Sequence, residues 1–319
     1  MGVGLPREGG GSIEVVLVLR ALGLGDLLTA LPALRALRHH LTSRFFFMLA
    51  APAWLAPLAL HSRAVDGVLP AEELAPVGLR GAALAVNLHG RGPQSHRLLL
   101  DTGPRSLLAF HHPDVPETAG SPRWRPGEHE VRRWCRLLAE SGIPADPTRL
   151  ELDPAGLPEA PERARGATLI HPGAKDPARR WPAERWAAVA RHEAREGRPV
   201  LVTAGPGEEA LAAAVVDRAG LGDRAVWAGG DVSALAGLIA VAGRVLSGDT
   251  GVGHLATALD RPSVALFGPV PPAEWGPPPG SRHRALWAGR CGDPHGRRPD
   301  AGLLEIQPED VVRELAAIP

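Results

Sequence analysis

Apolar and polar positions along the chain switch repeatedly between a strand-like and a helix-like period. The run "IEVVLVL" (13–19) is almost unbroken apolar and β-branched, as expected of a strand buried on both faces of a parallel sheet. Helical spacing follows in "LPALRALRHHL" (31–41). Further strands are expected at "RFFFMLA" (44–50), "AVDGVL" (64–69), "AALAVNL" (82–88) and "RSLLAF" (105–110). The stretch "EHEVRRWCRLLAESG" (128–142) predicts a helix, with Val131, Trp134, Cys135, Leu137 and Leu138 in one stripe and Gly142 as its stop.

The pattern breaks in the proline- and charge-rich residues 143–166 and then restarts. Strands are expected within 167–173, 198–206, 224–229, 244–251 and 261–269. Helices are expected at 181–197, 207–220, 231–243, 252–260 and 307–318, with Pro182 in a first turn and Asp231 as an N-cap. Two strand–helix arrays in tandem predict an α/β protein of two Rossmann-like, doubly wound domains facing each other across a cleft. The expected division is a loose tail at 1–11, an N-terminal domain at 12–150, a linker at 151–166 and a C-terminal domain at 167–319. In such sheets ligands sit beyond the carboxyl ends of strands, so the post-strand loops are the places to look for chemistry.

Composition narrows the function classes. Lys+Arg and Asp+Glu are both 35, a formal balance that argues against a chain dedicated to gripping nucleic acid. Lys175 is the single lysine. Two cysteines, Cys135 and Cys291, are too few for a disulfide framework and lack zinc-site spacing, which fits a reducing cytoplasm. The first apolar run is cut by Arg20 before it reaches membrane-spanning length, and Glu8 and Gly9–Gly11 do not resemble a signal-peptide start. The expected location is the cytoplasm, including the inner face of its membrane.

Four post-strand loops carry candidate residues. "RALGLGDLLTALP" (20–32) places Gly23 and Gly25 before Asp26 at a strand-to-helix turn. Leu28 stands where a dinucleotide fingerprint needs its third glycine, which weakens an NAD-binding reading. Asp26 alone reads as an N-cap, and Pro32 predicts a kink or a second helix start near Leu31. "HPGAKDPARRWP" (171–182) offers Lys175, Arg179 and Arg180 before a helix, a setting suited to a diphosphate. "TAGPGEE" (203–209) places Gly205 and Glu208 at another glycine-rich turn. Its bland reading is a first-turn acid; the sharper one is an acceptor for ribose hydroxyls. "SGDTGVGHLATALDRPSVALFGP" (247–269) brings Asp249, Thr250, Gly251 and His254 to a strand–helix junction. Its single Asp-Thr-Gly between a strand and a helix does not suit an aspartic protease, which pairs two carboxylates on a β-rich fold.

Together these loops, in this order, resemble glycosyltransferase family 9, the ADP-heptose:acceptor heptosyltransferases, from about residue 13 to the final "GLLEIQPEDVVREL". The resemblance implies a GT-B fold, with the acceptor on the N-terminal domain, the nucleotide-sugar donor on the C-terminal domain, and a last helix that crosses back to the first domain. It implies Asp26 as catalytic base. It implies Arg179, where relatives often carry Lys, on the donor diphosphate, aided by Lys175, Arg180, Thr250 and Gly251. It assigns Asp249, His254, Glu208 and Gly205 to the donor sugar and nucleotide. "NLHGRGPQSHRLL" (87–99) matches the family's "DLQG" strand and loop, with Asn87 and His89 replacing Asp and Gln. That loop is expected to face the acceptor through His89, Arg91 and Gln94, with Gly25 opposite. The implied reaction is inverting transfer of a heptose from ADP-heptose to a hydroxyl of a glycan, lipid-linked sugar or small molecule. Neither cofactor nor metal is required, since no Asp-x-Asp-like pair stands in a strand-end loop. A nucleotide-sugar epimerase of the same fold, or a non-catalytic sugar-nucleotide binder, is the alternative; a nicotinamide oxidoreductase is disfavoured.

Overall fold

The apolar runs become parallel strands in the computed structural model, which describes residues 13–41 and 44–319. The expected tail, residues 1–11, lies outside the described residues. The chain forms two compact units, one ending at Leu150 and the other beginning at Glu151.

The first unit contains β1 (Glu14–Leu19), α1 (Leu24–Leu41), β2 (Phe45–Ala51), α2 (Ala56–His61), β3 (Gly67–Pro70), β4 (Leu84–Asn87), α3 (Gln94–Leu100), β5 (Leu107–Leu108) and α4 (Glu130–Glu140). The strands lie in the order β3-β2-β1-β4-β5 and all pair in parallel. Central β1 buries Val16, Leu17, Val18 and Leu19 almost completely, which explains its unbroken apolar sequence. Pro32 does not start a second helix: α1 runs through it. A proline inside a helix costs about 3 kcal/mol. The same helix buries Leu27, Leu28, Leu31, Leu34 and Leu37, each at most 2% exposed. At roughly 1.5–3 kcal/mol per buried leucine, packing outweighs the proline.

The second unit contains β6 (Thr168–His171), α5 (Ala183–Arg195), β7 (Val200–Thr203), α6 (Glu209–Ala219), β8 (Val226–Trp227), α7 (Val232–Val241), β9 (Arg244–Gly248), α8 (Gly251–Ala258), β10 (Ser263–Phe267), α9 (Pro272–Trp275), β11 (His283–Trp287), α10 (Ala301–Glu305) and α11 (Pro308–Ala317). Its strand order is β11-β10-β9-β6-β7-β8, again all parallel. Asp231 caps α7 as expected, accepting the Ala234 N–H at 2.8 Å.

Residues 151–166 lie along this second unit. The Leu152 N–H bonds to the Ala258 carbonyl and the Gly166 N–H to the Val241 carbonyl. A side chain at Gly237 would meet the Pro158 carbonyl at 2.1 Å, so α7 needs a glycine there to let the segment pass. The last helix, α11, packs on α5 and β10, and its Val311 and Leu315 are buried in the core of the second unit.

Candidate functional site

In the first sheet the chain lays β2 and β3 outward on one side of β1 and then places β4 on the other. The loops after β1 and β4 diverge at the carboxyl edge, the topological switch point where doubly wound sheets hold ligands. These two loops carry Asp26 and His89.

Asp26 lies within the first turn of α1, so it is not an N-cap preceding the helix. One oxygen, Oδ2, accepts the Gly23 N–H at 3.1 Å. The other, Oδ1, lies 3.0 Å from Nη2 of Arg20, and the side chain is 25% exposed. A carboxylate offers about four lone-pair sites, so these two partners leave acceptor capacity toward solvent. Local anchoring and a chemical role are therefore compatible.

Arg20, by contrast, is only 1% exposed. Its guanidinium donates to the backbone carbonyls of Asp26 and Leu88 and ion-pairs with Glu130 at 2.9 Å. Its role was not legible in the sequence, where it only interrupts an apolar run. The signal present was a charge at the end of a strand otherwise buried on both faces.

His89 is half-buried, and its Nδ1 is buried without a hydrogen-bond partner. Burial first, then the Arg20 charge, lower its pKa, while Glu73 and Asp26 oppose the shift. A neutral imidazole therefore stands in the electrostatic reach of Asp26. Arg91 and Gln94 are exposed further along the same loop, and Gly25 is half-buried in the first turn of α1.

The departure at Asn87 has a physical reason. Its Nδ2 donates to Ser95 Oγ at 2.8 Å and lies 2.7 Å from His96 Nδ1, while Oδ1 accepts the His89 N–H at 2.8 Å. His96 Nε2 is 2.7 Å from the Phe110 carbonyl and donates its proton there, which leaves Nδ1 as acceptor. Burial lowers the His96 pKa and keeps the ring neutral. An amide can supply both donors at this point; a carboxylate cannot.

In the second sheet the switch point falls between β6 and β9. The loop after β6 carries Lys175, Arg179 and Arg180; the loop after β9 carries Asp249 and Thr250. Gly248 lets them approach, since a Cβ there would lie 3.3 Å from the Arg179 carbonyl oxygen. Arg179 Nη1 is 3.1 Å from Asp249 Oδ2. That pair is within ionic distance but off the line of a hydrogen bond, because Asp249 Oδ2, Arg179 Nε and Thr250 Oγ1 are all buried without hydrogen-bond partners. Asp249 is 5% exposed. Burial raises its pKa to about 6, with Arg179 pulling the other way. Buried polar atoms in native folds are overwhelmingly paired, so three orphans at one loop junction mark a place built to meet a polar ligand.

The start of α8 adds backbone donors. Thr250 stands at its N-cap without a side-chain capping bond; its carbonyl accepts the Gly253 N–H at 3.1 Å, and its hydroxyl caps none of the first-turn N–H groups. An open pocket adjoins this turn, lined by Asp249, Thr250, His254, Phe267 and Trp275. The rings of His254 and Trp275 meet edge to face with centroids 5.9 Å apart. Arg180 Nε donates to the Ala174 carbonyl at 2.8 Å, within its own loop, whereas Lys175 is exposed.

Glu208 and Gly205 lie one strand over, after β7. Glu208 is the N-cap residue of α6, and its Oε2 accepts the Gly205 N–H at 3.0 Å. The carboxylate lies across Gly173, where an added Cβ would fall 2.0 Å from Oε2. His171, missed in the sequence, underlies this carboxylate. Its Nδ1 is 3.0 Å from Thr203 Oγ1 and its Nε2 is 3.7 Å from Glu208 Oε2. Burial lowers its pKa, against the pull of Glu208. The first half of the "HPG" turn was the available signal.

Known proteins agree with this architecture. Residues 121–300, more than half of the chain, match the sequence model of glycosyltransferase family 9 (heptosyltransferase). Lipopolysaccharide heptosyltransferase 1 of Pseudomonas aeruginosa is 32% identical over 149 residues, which span 46% of this chain and 41% of that protein, less than half of either. A family 9 glycosyl transferase from Veillonella parvula superposes with a TM-score of 0.75 at 18% identity, covering 97% of this chain and 98% of that one. The heptosyltransferase WaaC of E. coli, solved with ADP, superposes with a TM-score of 0.71 at 20% identity, covering 95% and 99%. These superpositions show the fold: α/β, with the two parallel sheets of GT-B glycosyltransferases. With a match over most of its second unit and a shared fold over nearly its whole length, the chain belongs to glycosyltransferase family 9, the heptosyltransferases.

Proposed function

We propose that this chain is an inverting, metal-independent glycosyltransferase that moves a heptose from ADP-heptose to an acceptor hydroxyl. The observation that carries the reading is the orphaned trio Arg179, Asp249 and Thr250 at the switch point of the second sheet. In this reading the second unit holds the donor and the first unit holds the acceptor.

Asp26 takes the proton of the acceptor hydroxyl as that oxygen bonds to the anomeric carbon. The bond from that carbon to the diphosphate oxygen breaks, and its electron pair leaves with ADP. One displacement inverts the anomeric centre. General-base assistance of this kind contributes roughly 10²–10⁴-fold. Arg179, with Lys175, Arg180 and the N–H groups that begin α8, meets the charge gathering on the diphosphate. Asp249 and His254 face the sugar, and Glu208, held over Gly173, receives the ribose hydroxyls. Three cations in one loop supply the counter-charge that a metal provides elsewhere. Among the described residues no group of three or more His, Cys, Asp or Glu could hold a metal ion.

We assign the reaction to the cytoplasm, including the inner membrane face. Cys135 and Cys291 are free, which suits a reducing compartment. Among the described residues no helix is long and apolar enough to cross a membrane.

A thermal-shift screen with ADP, UDP, GDP and dTDP tests the donor half of the reading, and ADP is expected to raise the melting temperature most. ADP-heptose offered with a panel of glycan and small-molecule hydroxyls should then yield ADP and a product of inverted anomeric configuration, with the rate unchanged by EDTA. A preference for another nucleotide, or an epimerised sugar formed without acceptor, would overturn it.

A further inference from the structure

The most heavily bonded charged side chain of the first unit is one with no role in the reaction as described. Arg20 follows β1 directly, with its guanidinium almost fully buried. Nε donates to the Asp26 carbonyl at 3.0 Å, Nη1 to the Leu88 carbonyl, and Nη2 to Glu130 Oε1 at 2.9 Å, with Asp26 Oδ1 3.0 Å away. Thr29 Oγ1 closes the ring, 3.4 Å from Nη2 and donating to the Asp26 carbonyl at 3.1 Å. Beneath lies the ring of Trp134, 5.0 Å from the guanidinium carbon. One side chain thus ties the Asp26 turn of α1, the residue preceding His89 after β4, and the start of α4.

The charges alternate. Asp26 pairs with Arg20, Arg20 with Glu130, and Glu130 with Arg133, which is itself buried. Glu130 also accepts the Trp134 indole N–H at 2.9 Å. His89 also lies in electrostatic reach of Arg20, Asp26 and Glu73. A buried ion pair is a poor source of net stability, because desolvation cancels most of its attraction. Its geometric effect is stronger. Nη2 is fixed from below by Glu130, so it holds Oδ1 in one place while Oδ2 is held by the Gly23 N–H. Glu130 shares the Arg20 charge, so Asp26 does not carry that charge alone.

We infer that Arg20, anchored by Glu130, is the positioning residue that aims the Asp26 carboxylate at the acceptor hydroxyl. It acts through Asp26 and touches neither substrate. The inference rests on Asp26 as the base. A base displaced by about 1 Å loses on the order of a hundredfold in rate.

The test is a double-mutant cycle on the full chain, with Arg20→Lys and Asp26→Asn made singly and together. Lysine keeps the charge but cannot reach all the guanidinium's partners at once. The readouts are kcat and KM for ADP release from ADP-heptose with water as acceptor, and ADP affinity by calorimetry. Arg20→Lys should lower kcat roughly tenfold to a hundredfold, with KM and ADP affinity within about twofold. In the Asp26→Asn background the same substitution should change the residual rate by less than about twofold, because the group it aims is gone. An equal loss in both backgrounds, or an unchanged kcat in the single variant, overturns the inference. Should Arg20→Lys fail to fold, Glu130→Gln replaces it in the cycle, with a smaller loss of kcat expected and the same silence in the Asp26→Asn background. A wild-type rate for Asp26→Asn alone would instead overturn the base assignment, a separate result.

Discussion

At the switch point of the first sheet, Asp26 is a quarter exposed; its Oδ2 accepts the Gly23 N–H, and its Oδ1 lies 3.0 Å from Arg20 in an ion pair. At the switch point of the second, Asp249 is 5% exposed and its Oδ2 has no hydrogen bond, although Arg179 lies 3.1 Å away. The two sheets share one winding and each carboxylate is ion-paired to an arginine, yet one is partly exposed and bonded to its own turn while the other is buried with an oxygen that makes no hydrogen bond. A carboxylate that must collect a proton from an incoming hydroxyl needs access and a fixed direction. One that must receive a ligand is held with unmet hydrogen-bonding capacity, which the ligand then satisfies. Strained or unpaired groups are tolerated at sites where their stability cost serves function.

The comparison can be broken most forcefully at Asp249. Its pKa rises from 3.8 unfolded to about 6 folded, because burial disfavours the charged form. The folded state therefore holds this proton more tightly than the unfolded one. The associated stability is fully present below the unfolded value and is lost as pH rises through the folded one. The shift corresponds to about 3 kcal/mol. Asp249→Asn cannot ionise, so its stability relative to wild type should grow by about that amount between pH 4 and pH 7, measured by urea unfolding. A difference independent of pH would mean that Asp249 is not strained.

Arg179→Ala should come next. On the proposed function it removes a charged donor to the diphosphate, worth about 1.5–3 kcal/mol, so ADP affinity should fall roughly tenfold to a hundredfold by calorimetry. Unchanged affinity would dissolve the contrast from the donor side.

Asn87→Asp probes the opposite quality, the complete pairing of the first unit. It deletes the donors to Ser95 and His96 and sets a carboxylate against the His96 lone pair. The expected loss is about 1–2 kcal/mol at pH 8. Protonation of His96 restores a donor, so the loss should shrink as the pH falls. Equal stability at both ends of the range would show that the amide is dispensable.

The strand–helix alternation was legible because the central strands are largely apolar and several strand-to-helix turns carry glycine, as at Gly23, Gly173, Gly205 and Gly251. Boundaries were less so: the run at 105–110 yields only Leu107–Leu108 as strand, since β5 pairs with β4 alone at the sheet edge. Asp26, Arg179 and Asp249 stood out as candidates through the family resemblance, each lying in or beside a strand-to-helix junction. Arg20 and Glu130 could not be paired in advance, since 110 positions separate them and no periodicity reports so distant a contact. His171 was hidden for a related reason: Thr203 and Glu208, which define its environment, belong to the following strand and turn. The closing helix was legible at 307–318 and forms as Pro308–Ala317, with a proline in its first turn.

The central claim is a division of labour, with turnover carried by Asp26 and nucleotide affinity by the loops of the second unit. It is tested most directly by measuring, on one preparation of Asp26→Asn, the rate of ADP release from ADP-heptose alongside the dissociation constant for ADP. The account predicts a rate lowered by roughly 10²–10⁴-fold with ADP binding as in the wild type. A retained rate, or a parallel loss of ADP affinity, would contradict it.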